Sequence, residues 1–377
     1  MAELTLEQKI TSFAHLKKPP FEAKPYLVFV NELAPRLSLK TLSQTILEAF
    51  ATPDVKAERI VNALKLNPYY LQLFERVLKF RSKRKEFASL DSGVVLLGMQ
   101  NSRNLILALQ SYRSSHLAHP ELDASGETKF DPTQKLYFAL RCEDWVNSIP
   151  IKERPITPDV AFAAGMIFDM LHWISEDWIT PILGKNDRES DEFKEHHRKF
   201  RTYIQQVFTH SLQSAAIGFE LMKRVPDFSY KKLVIPACLL HDIGKVAFAM
   251  IDPTYVKFQD GIKKLQTGRP LRFFAENQQY GVNHAVLSVM ACHGFKVFRQ
   301  MEKAILHHHH PHLLKGEKNH FLLASIISVA SNMASHFRPV VAGDALVQEW
   351  LGLELKGGAL VPDSVVAEVS MKVTLPA

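Results

Sequence analysis

The chain has 377 residues, enough for two or three domains and a sizeable buried core. Hydrophobic residues at 46% against 23% charged exclude a disordered chain. The formal net charge of +7 leans only weakly toward acidic partners such as phosphates, nucleotides or nucleic acid.

The first residues, Met-Ala-Glu-Leu-Thr-Leu-Glu-Gln-Lys, lack a basic region followed by an apolar stretch, so no secretory signal is expected. The apolar runs read as shorter than the ~20 residues a bilayer span needs, and no membrane partner is expected. Cys142, Cys238 and Cys292 are odd in number and sit among apolar residues. They read as small hydrophobes in a reducing cytoplasm.

Residues 1–27 read as an amphipathic arm with Pro19, Pro20 and Pro25. Residues 28–113 read as a helical module, with apolar spacing at Leu42, Ile46, Leu47 and Phe50 and restarts at Thr52-Pro53-Asp54 and Asn67-Pro68. Ser89-Leu90-Asp91 opens a helix that ends at Leu97-Gly98, and a further one carries Leu105 to Leu109. The densest basic cluster, residues 76–85, reads as a solvated helix face rather than a nucleic-acid patch. It has little aromatic content beyond Phe80 and no accompanying motif.

Residues 114–195 read as a helical insert, beginning with a polar loop to Gln134. Within it, Ala161 to Leu171 matches the pattern of small and branched residues in Ile235 to Ile243. Phe168-Asp169 then falls where His241-Asp242 falls, and Tyr137 where His210 falls. A degenerate copy of the later helices and a chance likeness between two buried helices both fit. Residues 196–337 carry the chemistry. Residues 338–377 are richer in Val and Gly and fit either short strands or a final helix.

The central stretch is Leu239-Leu240-His241-Asp242-Ile243-Gly244-Lys245, at the end of an apolar run broken only by Pro236. An unpaired charge delivered into a helical interior is costly, so the pair calls for a metal ion or a hydrogen-bonded partner. In that reading Gly244 lets the backbone turn close to a ligand, and Lys245 neutralises an anion. A helix C-terminus with a Gly stop and a Lys on the dipole fits the same residues. Further histidines follow the same order along predicted helices: His210 upstream, then His284, then His307 to His310 before Pro311. Imidazoles and a carboxylate converging from several elements are what a transition-metal site needs.

This series resembles the HD superfamily of metal-dependent phosphohydrolases, and more narrowly the bacterial HDOD signalling proteins and the related HD-GYP phosphodiesterases. The resemblance implies an all-α, multi-helix HD bundle with an additional N-terminal helical module. It implies that His210, His241 and Asp242 hold one ion. Asp242 then bridges to a second ion held by His284, His308 and His309. The pattern of two histidines and then a proline selects His308 and His309 and leaves His307 and His310 at the rim. Asp242 and Lys245 are the implied catalytic residues. An imidazole-rich set suits iron, zinc or nickel better than magnesium, with manganese also accommodated.

Three departures qualify that picture. Ser331 stands where HD enzymes have a closing Asp, with Asn332 or Asp344 as substitutes. Gln206 stands where dinuclear relatives carry a Glu, and no Gly-Tyr-Pro follows His309. Two functions therefore remain open. One is a metal-binding signalling protein with weak hydrolysis of a nucleotide or cyclic dinucleotide. The other is a non-catalytic HDOD scaffold for signalling-protein partners. Nucleic-acid binding is the weakest alternative.

Overall fold

The computed structural model describes residues 56–65, 71, 74–75, 89–109, 136–182, 191–225, 227–252, 254–264, 269–293 and 296–336. The N-terminal arm, the basic segment 76–85, the polar loop and the tail 338–377, with Asp344, lie outside the described residues. Among the described residues the regular structure is all helical, with no strand, as the sequence predicts.

The chain divides into two compact units, one comprising Arg36–Trp173 and the other Met1–Pro35 with Ile174–Ala377. The first unit holds α1 (Ala57–Lys65), α2 (Leu90–Leu97), α3 (Met99–Leu109), α4 (Tyr137–Ser148) and α5 (Pro158–Ile182) as far as Trp173. Ser89 caps α2 in an extended conformation, its Oγ accepting from the Ser92 N–H at 3.1 Å while Ser92 Oγ accepts from the Ser89 N–H, also at 3.1 Å. This closes a reciprocal capping box. Gly98, at φ 84°, then takes the left-handed turn that separates α2 from α3, which side chains with a β-carbon rarely adopt.

In α5, Gly165 faces the backbone of α4; a β-carbon there would stand 2.6 Å from Ala139 Cα. One turn on, Asp169 accepts from the N–H groups of Phe138 (3.2 Å) and Ala139 (2.9 Å). Leu136 offers no side-chain cap, so Asp169 satisfies the start of α4 from a neighbouring helix. Burial pushes its carboxyl well above the usual range, with the two backbone N–H groups opposing. Tyr137 opens α4, whereas His210 lies deep inside a long helix. The apparent repeat therefore does not place Phe168-Asp169 as the later pair is placed, and Asp169 has a capping role.

The second unit contains α6 (Asp191–Met222), α7 (Lys231–Leu240), α8 (Ile243–Ile251), α9 (Tyr255–Lys264), α10 (Arg269–Tyr280), α11 (His284–His293), α12 (Glu302–Leu306) and α13 (Lys318–His336). The 32-residue α6, about 48 Å long at 1.5 Å per residue, is the spine against which α7, α8 and α13 pack. Its apolar stripe of Leu212, Ala215, Ala216, Phe219 and Met222 is buried, as the helical spacing predicts. Lys231–Met250 is long and apolar enough to cross a membrane by length and composition, with hydropathy 1.6, contrary to the expectation from apolar run length. It is 89% buried inside the protein, as a core segment is, and His241-Asp242 breaks it into α7 and α8.

Candidate metal centre

The break between α7 and α8 places the central pair. His241 is the C-cap of α7, and Asp242 stands at the N-cap of α8. An N-cap Asp ordinarily accepts from the first turn of its own helix. Asp242 makes no such bond, and its carboxylate turns toward the histidines instead. Gly244 is the second residue of α8 and neither a helix stop nor a ligand-facing turn, which corrects both sequence readings. A β-carbon there would collide with the carbonyl oxygen of His284 and stand 2.7 Å from the N–H nitrogen of Ser288. The glycine lets α8 and α11 touch. Ser288 Oγ seals that contact, accepting from the Gly244 N–H and donating to the His241 carbonyl, both at 2.8 Å.

The six expected ligands form two groups, His210 with His241 and Asp242, and His284 with His308 and His309. Within each group the potential ligand atoms lie within 4.8 Å of one another. His210 Nε2 and His241 Nε2 each stand 3.4 Å from Asp242 Oδ2, and His284 Nε2 stands 3.3 Å from Asp242 Oδ1. Asp242 thus faces both groups. His309 Nε2 is 2.8 Å from His284 Nε2, and the His308 ring lies 5.2 Å from that of His241. His307 is half-buried, while His310 contacts the rings of Phe273 and His312.

Helix ends fix the orientation of two imidazoles. His241 Nδ1 lies 2.8 Å from the Cys238 carbonyl, and His308 Nδ1 lies 2.6 Å from the Ile305 carbonyl. A carbonyl only accepts, so each Nδ1 carries a proton, and in the neutral ring it is Nε2 that offers the lone pair. His284 is held differently. Its Nδ1 and its backbone N–H both donate to Glu276 Oε2, at 2.6 and 2.8 Å.

Ser331 lies in α13. Its Oγ lies 2.8 Å from His241 Nε2 and 3.0 Å from His210 Nε2. Lys245 donates to Asp242 Oδ2 at 2.6 Å, so its ammonium is paired with the carboxylate rather than standing ready for an anion alone. Burial pushes the Asp242 carboxyl up, but His241, Lys245 and His284 outweigh it and hold the group well below the usual carboxylate range. Burial, reinforced by His241 and His284, holds His308 well below the usual imidazole range.

A cavity of about 190 Å³ opens onto these groups, lined by His210, Asp242, Lys245, His284, His309 and Ser331, with Tyr203, Gln206 and Gln259 at its wall. The residues fit a divalent transition metal on one observation in particular. Asp242 Oδ1 and His308 Nε2 are both buried acceptors with no hydrogen-bond donor. Each such atom costs about 1–3 kcal/mol when left unmatched, and a cation supplies the missing partner. Glu276 is the residue that sequence reasoning missed. It lies eight positions before His284, and the chain returns through Gly281 at φ 71° to bring the two together.

Residues 207–335 match the family model described as the HD domain. One solved structure, a "Putative phosphohydrolase" from Shewanella amazonensis SB2B, aligns over 93% of this chain and 95% of its own. Its identity of 15% and TM-score of 0.37 are too low to bear on fold or site. No curated protein matches the sequence. The match to the HD domain model spans all six candidate ligands together with Ser331.

Proposed function

We propose that this HD domain binds one or two divalent transition-metal ions and serves as a signalling module with slow phosphohydrolase activity on a nucleotide or cyclic dinucleotide. The observation that carries the reading is the pair of ligand groups flanking Asp242, with two buried acceptors left without donors. His210, His241 and Asp242 hold one ion, and His284, His308 and His309 the other. Iron, manganese, zinc or nickel suits this donor set. Such an ion, when bound, lowers the pKa of a coordinated water and polarises a phosphoryl oxygen.

The protein's own groups do the remaining work. Lys245 offsets charge on a phosphate entering the cavity, at the cost of sharing its contact with Asp242. The Nδ1 bonds of His241, His284 and His308 fix which nitrogen of each ring is left for a metal ion. Gln206 and Ser331 bring no negative charge where dinuclear relatives carry carboxylates. The ions are therefore held more loosely and the attacking group is less well aligned than in a full carboxylate set.

Elemental analysis of the purified protein tests the reading. Metal is expected in the wild type and is lost in His241→Ala and in Asp242→Ala. Metal that survived the double substitution would remove the site assignment. A second reading, a non-catalytic scaffold for signalling proteins, is favoured by Ser331, whose hydroxyl rests against two ligand imidazoles. Metal-loaded protein that never cleaves a generic phosphodiester would favour that reading.

A further inference from the structure

We infer that Glu276 is the positioning residue for His284, held in place by Tyr255 and Gln259, and that it sets the metal affinity of the His284, His308 and His309 group more strongly than that of the other group. The inference rests on the metal-binding reading. Glu276 is fully buried, as is Tyr255. A carboxylate in that setting needs its acceptor sites filled.

Both oxygens are filled, and on opposite sides. Oε2 accepts from the Nδ1–H and the backbone N–H of His284. Oε1 accepts from the Tyr255 hydroxyl at 2.7 Å and from Gln259 Nε2 at 2.8 Å, and Gln259 also donates to the Tyr255 oxygen. The Tyr255 ring is fixed in turn by stacking on Phe248 at 4.9 Å. Four donors thus pin one carboxylate, which pins one imidazole at two points. His284 Nε2 is left aimed at Asp242 Oδ1 and His309 Nε2.

His241 and His308 are anchored by main-chain carbonyls. A carboxylate behind an imidazole makes it a stronger ligand as well as orienting it, and removing such a partner typically weakens metal binding 10–100-fold. The group without a carboxylate of its own therefore receives negative charge one bond further out. His210 and His241 are not bonded to Glu276, and Asp242 meets it only through His284, so the first group feels it at one further remove.

Cobalt(II) titration of the metal-stripped full chain, followed by ligand-field absorption and chelator competition, tests this. Glu276→Gln keeps the size of the side chain and removes the charge. It is expected to weaken one class of site about 10–100-fold, change that site's absorption and weaken the other class markedly less. Tyr255→Phe, which removes only the hydroxyl, should weaken the same class several-fold. Should Glu276→Gln fail to fold by circular dichroism, Tyr255→Phe decides alone. Unchanged affinities in the folded variants, or equal weakening of both classes, would overturn the inference. Wild-type protein that bound no cobalt would instead bring down the metal-binding reading, and the inference with it.

Discussion

Gly244 and His284 are in backbone contact: the α-carbon of the one lies against the carbonyl of the other, with no room for a methyl group between them. The two candidate ligand groups are therefore joined through main chain as well as through Asp242. Gly244→Ala must move α8 or α11, because the obstructing atoms are backbone and cannot rotate away. Overpacking of this kind costs about 1–3 kcal/mol. The expected outcome is a lower melting temperature and weakened metal binding, read by calorimetry and chelator competition.

Ser331 offers a test with two signs. Ser331→Asp puts a carboxylate beside His210 and His241 and restores the closing ligand of the family pattern. In metal-free protein it adds a buried negative charge near Asp242 and should lower stability. With metal the order should reverse, with affinity rising about tenfold, equivalent to about 1.4 kcal/mol. Comparing melting temperatures with and without a chelator checks both halves. Ser331→Ala should leave metal content intact and cost about 1 kcal/mol of metal-free stability.

The pH dependence of metal-free protein follows from His308, which is buried with its pKa depressed. The unfolded chain takes up this proton near pH 6.5, while the folded state resists it. Between those two values the unfolded state binds more protons, so stability rises with pH. The contribution is complete above about pH 6.5 and is lost progressively as pH falls toward the depressed folded value. Chelator-treated protein should therefore melt at a lower temperature at pH 5 than at pH 7, and His308→Gln should flatten the slope.

In the Arg36–Trp173 unit, Arg103 is 1% exposed and bonds both oxygens of Glu143, at 2.7 and 2.8 Å, while also pairing with Asp159. Its guanidinium lies over the Phe162 ring at 3.7 Å. Burial already pushes the Glu143 carboxyl up, and Arg103 opposes that rise. Arg103→Met would leave the carboxylate uncompensated, at a cost of about 3–5 kcal/mol. Urea denaturation should show this loss, and Arg103→Met with Glu143→Met should recover most of it.

The order of the candidate ligands was legible because His210 and His284 stand on helices and His241-Asp242 and His308-His309 follow apolar helical runs. The choice of His308 and His309 within four histidines rested on their distance from Pro311, and those two are the ones placed against His284. Glu276 was not legible. It reads locally as one polar residue on the amphipathic α10, and only the turn through Gly281 brings it back to His284. Gly244 was misread for a related reason. The sequence shows a small residue after a charged pair but not the neighbouring helix it admits. Asp169 likewise invited comparison with Asp242, since a buried acidic residue looks the same whether it caps a helix or faces imidazoles.

Two of the imidazoles, His241 and His308, are steered by the peptide carbonyls of Cys238 and Ile305. Those acceptors belong to whatever residue occupies the position, so no single codon change deletes them. His284 relies on a side chain that one substitution removes. The centre is therefore unevenly exposed to mutational drift. A lineage losing its chemistry would be expected to shed the Glu276 arm first, while the helix-end histidines keep their orientation long after any selection for turnover has relaxed.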